Sequence, residues 1–135
     1  MAPGTKNPLK ILCFGDSLTA GFTNWGLVHE PYSKTTAAYL KEVVGEEYEV
    51  VIETRGVSGE RVCEMGGRMD LLYGPTRTRE EPYDFVVFLG GTNDIAYNRA
   101  PSDIFADIKA VLAQPLANGA RVLLLTVPEC GVRNR

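Results

Sequence analysis

The stretch Leu9-Lys10-Ile11-Leu12-Cys13-Phe14-Gly15-Asp16-Ser17-Leu18-Thr19 decides the fold. Leu9 to Phe14 is a short, almost wholly apolar run rich in strand formers, and it stops at the small polar group Gly15-Asp16-Ser17. An apolar run of that length reads as a strand buried on both faces. Three further runs have the same character: Tyr48 to Ile52, Phe85 to Leu89 and Val122 to Leu125.

Amphipathic stretches lie between them. Tyr32, Ala37, Leu40, Val43 and Val44 recur at helical spacing, with Pro31 suited to the first turn and Gly45 to the C-terminal cap. A second helix falls within Gly59 to Leu72, weakened in its middle by Gly66-Gly67. Pro101 opens a third, whose apolar face is Ile104, Phe105, Ile108, Val111 and Leu112. Pro115 is expected to end or kink it, and Asn118-Gly119 to close it. Continuous apolar strands alternating with helices predict an α/β fold, with a parallel sheet covered on both faces by right-handed crossovers. The expected strand order is 2-1-3-4, in a single domain over residues 1–135.

The chain has 135 residues, 44% hydrophobic and 23% charged, with a formal net charge of -3. Its charges are dispersed, and no basic cluster is present to neutralise phosphates, which argues against nucleic-acid binding. No segment is apolar and long enough to span a membrane, and the first ten residues do not form a signal peptide. Cys13, Cys63 and Cys130 are scattered, with no CxxC pair and no histidine cluster for zinc. Reduced thiols and a cytoplasmic location are the corresponding expectations.

Chemistry in such sheets sits beyond the carboxyl ends of the strands. Three polar, glycine-rich segments fall there: Gly15-Asp16-Ser17-Leu18-Thr19, Arg55-Gly56-Val57-Ser58-Gly59 and Gly90-Gly91-Thr92-Asn93-Asp94. Taken singly, each reads as a turn or helix cap. Together, in order, they supply what acyl transfer needs: a hydroxyl nucleophile in Ser17 and donors for a developing oxyanion. Those donors would be the N–H of Ser17, the N–H of Gly59 and the side-chain amide of Asn93. Asp16 would shape the nucleophile turn, and Asp94 would cap the following helix.

This ordered set resembles the first three blocks of the GDSL, or SGNH, hydrolases. The resemblance runs from about Ile11 to Val127, with Thr54 where many relatives have Asn. It implies a flavodoxin-like three-layer sandwich and an esterase, lipase or acyl hydrolase. Ser17 would be the nucleophile, with an oxyanion hole from Ser17, Gly59 and Asn93, and no metal or organic cofactor would be required. The family's last block, Asp-x-x-His, has no counterpart here. The only histidine, His29, lies between the first strand and the first helix, on the substrate side, and reads as a substrate contact rather than the base. A fourth strand buried on both faces would also be left as an uncovered edge. The expectation is therefore an N-terminal portion of a larger hydrolase, with the base, a fifth strand and a last helix in a C-terminal segment. Two other readings remain: a non-catalytic domain binding an acyl or carbohydrate ligand or a partner strand, and a nucleotide- or flavin-binding domain. The first loop has neither GxGxxG nor a Walker A pattern, which disfavours the latter.

Overall fold

The computed structural model describes residues 4–73 and 83–129. Its main sheet has four parallel strands: β1 (Asn7–Gly15), β4 (Tyr48–Gly56), β5 (Phe85–Leu89) and β6 (Arg121–Leu124). They lie in the order β4-β1-β5-β6, the expected 2-1-3-4. A small antiparallel pair, β2 (Phe22–Thr23) with β3 (Val28–His29), stands apart from the sheet.

The helices are α1 (Ser17–Ala20), α2 (Tyr32–Val44), α3 (Gly66–Tyr73), α4 (Thr92–Ala96) and α5 (Pro101–Ala117). Alternation along β1 assigns the faces. Leu12 and Phe14 join the core cluster with Met65, Met69, Val111 and Leu112, so α3 and α5 cover that side. The neighbours Ile11 and Cys13 are equally buried but lie outside that cluster, and Cys13 meets Tyr32 of α2 on the opposite side. Phe14 and Phe88 stack at 6.2 Å across the β1–β5 pair.

Several expectations need correction. β1 and β4 are longer than their apolar runs, because ladder bonds carry them through polar residues to Gly15 and Gly56. Gly66-Gly67 starts α3 instead of interrupting it; the preceding turn is a separate 3-10 segment, Val62–Glu64. Pro115 neither ends nor breaks α5, which runs on to Ala117 with Pro115 buried in its last turn. Gly45, by contrast, is the C-cap of α2 as expected, with right-handed backbone, φ -66°. His29 lies in β3, paired with Phe22, and not in an irregular loop.

β6 is an edge strand, and it is not buried on both faces: Leu123 is 57% exposed and Leu124 43%. Val122 packs against the core, but the outward groups meet no cover among the described residues. No helix among the described residues is long and apolar enough to cross a membrane. Cys130 lies outside the described residues.

Candidate active site

The three polar segments occupy the carboxyl ends of β1, β4 and β5, which are adjacent strands. Close backbone approach brings the first two together. A Cβ on Gly56 would stand 2.4 Å from the nitrogen of Ala20 and 2.6 Å from the carbonyl oxygen of Asp16, so only glycine admits α1 this near β4. The Val57 N–H donates to the carbonyl of Gly15 at 3.2 Å, closing the same junction. Gly15 meets β5 similarly, its missing Cβ falling 2.1 Å from the Leu89 carbonyl oxygen.

Ser17 is the first residue of α1, half-buried at the end of β1. Asp16 caps that short helix: its Oδ1 accepts the Leu18 N–H at 3.0 Å. The Asp16 side chain is fully buried, and its Oδ2 has no partner among the described residues. Burial pushes its carboxyl above the ordinary 3.8; the bond from Leu18 opposes this, and the nearby Asp94 and Glu60 charges add to it.

Gly59 has φ +80°, and a Cβ there would meet nothing within 4 Å. Its N–H thus sits in a left-handed turn with open space beside it, as close approach by a ligand atom requires. Asn93, in the first turn of α4, donates its Nδ2 to the carbonyl of Glu60 at 2.9 Å. One amide proton therefore ties β5's loop to the residue after Gly59. No described group accepts the other.

Asp94 does not cap its own helix. The N-cap of α4 is Gly91, and the buried Asp94 carboxylate reaches across to the Val62 N–H at 3.0 Å and to Arg99 at 2.7 Å. It fastens the third loop to the second. Asp94, Asp107 and Cys63 place possible metal-ligating atoms within 4.8 Å of one another, but the Arg99 guanidinium lies 2.7 Å from the first carboxylate and 2.6 Å from the second. A cation already fills that position.

His29 is exposed, with its ring edge-on to Phe22 at 6.1 Å. Among the described residues no base is hydrogen-bonded to the Ser17 hydroxyl. The structure thus places the loops that carry Ser17, Gly59 and Asn93 at the ends of adjacent strands, joined through the bonds of Val57 to Gly15, Asn93 to Glu60 and Asp94 to Val62, and leaves His29 on the hairpin. Two further residues escaped sequence reasoning. Glu60 and Arg68 pair at 3.0 Å beneath the three loops, and nothing in the spacing of a helical arginine signals a partner so placed.

Comparison with known proteins follows the same outline. A model of the GDSL-like Lipase/Acylhydrolase family matches residues 13–135. No curated protein is significantly similar in sequence. Among solved structures, AlinE4, an SGNH-hydrolase family esterase, superposes with TM-score 0.69 at 22% identity, over 91% of this chain and 60% of that one. An acetyl xylan esterase variant from Geobacillus stearothermophilus gives 0.65 at 18% identity, over 88% and 60%. The psychrotrophic esterase EstA from Pseudoalteromonas sp., inhibited by monoethylphosphonate, gives 0.64 at 21%, over 86% and 58%. At these identities the likeness is one of fold, and the chain spans about 60% of the length of such structures. By its matched sequence model, the chain belongs to the GDSL-like lipase/acylhydrolase family, the GDSL or SGNH hydrolases.

Proposed function

We propose that this chain carries the nucleophile and the oxyanion donors of a carboxylic-ester hydrolase. The supporting observation is the convergence of three strand-end loops, tied by the bonds from Val57 to Gly15 and from Asn93 to Glu60, around a half-buried Ser17. Ser17 Oγ attacks the ester carbonyl carbon. The carbonyl oxygen, now negative, takes hydrogen bonds from the N–H of Ser17, the N–H of Gly59 and the Asn93 amide. Each such donor contributes about a hundred- to a thousandfold in rate. A histidine beyond residue 135 accepts the serine proton and passes it to the departing alcohol. Water, deprotonated by the same base, then hydrolyses the acyl-enzyme. No metal or organic cofactor enters these steps. Short acyl esters are the substrate class, in keeping with the acetyl xylan esterase among the similar structures.

The base is assigned to a C-terminal portion because no described residue is bonded to Ser17 Oγ and because β6 offers an uncovered edge, with Leu123 and Leu124 exposed. The same two observations favour a second reading, a binding domain without catalysis. Hydrolysis of a short p-nitrophenyl ester separates them. The chain and its Ser17→Ala variant are assayed alone and with the C-terminal portion of the protein added. Turnover that needs both Ser17 and the added portion supports the proposal. Turnover by the chain alone overturns the placement of the base, and no turnover in any arm favours the binding domain.

A further inference from the structure

From the geometry beneath the three loops we infer that Arg68 is a positioning residue, whose guanidinium holds the nucleophile turn and the oxyanion loop in one fixed relation. Its catalytic meaning rests on the hydrolase reading above. Arg68 lies on α3, eight residues beyond Glu60 in sequence. Its Nη2 donates to the carbonyl of Gly15 at 2.9 Å, two residues before Ser17. Its Nη1 donates to the carbonyl of Arg55 at 3.3 Å, at the end of β4. Its Nε and Nη2 bond the Glu60 carboxylate at 3.0 to 3.1 Å, next to Gly59. The plane rests over the Phe14 ring, 4.2 Å from its centroid.

One rigid fork thus touches the backbone before Ser17, the backbone before Gly56 and the side chain after Gly59. Glu60 is gripped twice, by Arg68 on its carboxylate and by Asn93 on its carbonyl. Glu60, which follows a glycine with open space beside it, is thus held at its carboxylate from one side and at its carbonyl from the other. The Gly15 carbonyl accepts from Arg68 and from Val57 together, so the two loops share an anchor atom. Both charged side chains are mostly shielded, Arg68 24% and Glu60 11% exposed, which strengthens the bonds relative to a surface pair. A lysine could not replace this. Its ammonium is a point charge without the planar fork, and it cannot span two carbonyls and a carboxylate while stacking on a ring.

The test uses Arg68→Lys and Arg68→Ala with two readouts. The first is amide exchange of Val57, whose N–H is held on the Gly15 carbonyl. In Arg68→Lys it is expected to exchange about tenfold faster or more, with the β5 amides unchanged. Unchanged exchange at Val57 overturns the inference whether or not the protein is an esterase. The second is Ser17-dependent ester turnover with the C-terminal portion present. Arg68→Lys is expected to lose about ten- to a hundredfold in kcat with KM moved less than about threefold, because the donors are needed most in the transition state. Added guanidinium ion should restore part of the loss in Arg68→Ala, while ammonium should not. Wild-type kcat in Arg68→Lys, or a loss confined to KM, overturns the catalytic role. Absence of turnover in the wild type instead overturns the hydrolase reading, and exchange at Val57 then decides whether Arg68 holds the loops.

Discussion

Two glycines three residues apart should respond to the same substitution to different degrees and for different reasons. Gly56 has no left-handed backbone, so an alanine there has no conformational objection. Its methyl would, however, stand 2.4 Å from Ala20 N, 2.6 Å from Asp16 O and 2.9 Å from Ala20 Cα. All three atoms are backbone, so no side-chain rotation relieves them, and α1 must move off the end of β4. Overpacking of this kind costs about 3 kcal/mol, the upper end of its usual range. Gly59 is the reverse: its Cβ would meet nothing within 4 Å, and the only cost is φ +80°, about 1 kcal/mol for an alanine. With a urea slope of about 2 kcal/mol/M, Gly56→Ala should unfold about 1.5 M earlier than wild type and Gly59→Ala about 0.5 M earlier. Activity should invert part of this order: Gly59→Ala keeps its fold yet loses turnover, because the new methyl crowds the space beside the donor N–H. Equal midpoints, or a Gly59→Ala variant less stable than Gly56→Ala, would refute the claim that Gly56 serves close approach and Gly59 serves an open turn.

Asp16 predicts a pH dependence. Its carboxyl is held above 3.8 mainly by burial, so the folded chain binds that proton more tightly than the unfolded one. The stability this contributes is complete below the ordinary value and is lost as pH rises through the raised one. Asp16→Asn, which keeps the Oδ1 acceptor for Leu18, should therefore gain on wild type between pH 4 and pH 7 in urea midpoints; a variant that falls further behind at pH 7 contradicts this. Thiol alkylation should distinguish Cys63, which is exposed, from Cys13, which is buried with its thiol pushed up by desolvation. Peptide mapping is expected to find Cys63 modified in the native chain and Cys13 only after denaturation; early modification of Cys13 would show that the α2 side of the sheet opens.

The sheet is readable because its strands are short continuous apolar runs bounded by polar segments: Phe85 to Leu89 appears in the structure with the bounds its apolar run suggests. The crossover rule points to a doubly wound sheet, and with the order 2-1-3-4 the three loops fall on adjacent strands. What could not be read was short or distant. β2 and β3 are two residues each, below any detectable period, so no strand signal marks His29. Asp94 looked like a cap because local pairing is the usual fate of such a residue, yet its bond goes to Val62, 32 positions away. Arg68 was invisible for the same reason, its carbonyl partner at Gly15 lying 53 positions away. Ser17, Gly59 and Asn93 stand out together because each belongs to a polar segment that follows a strand.

Covalent capture tests most directly whether the Ser17 hydroxyl is the nucleophile. The chain, with its C-terminal portion present, is treated with a phosphonate ester, and the adduct is located by peptide mass. A single adduct on the peptide containing Ser17, absent from Ser17→Ala and slow to form in the chain alone, is the predicted result. An adduct that forms equally in Ser17→Ala, or that maps to another residue, would contradict it.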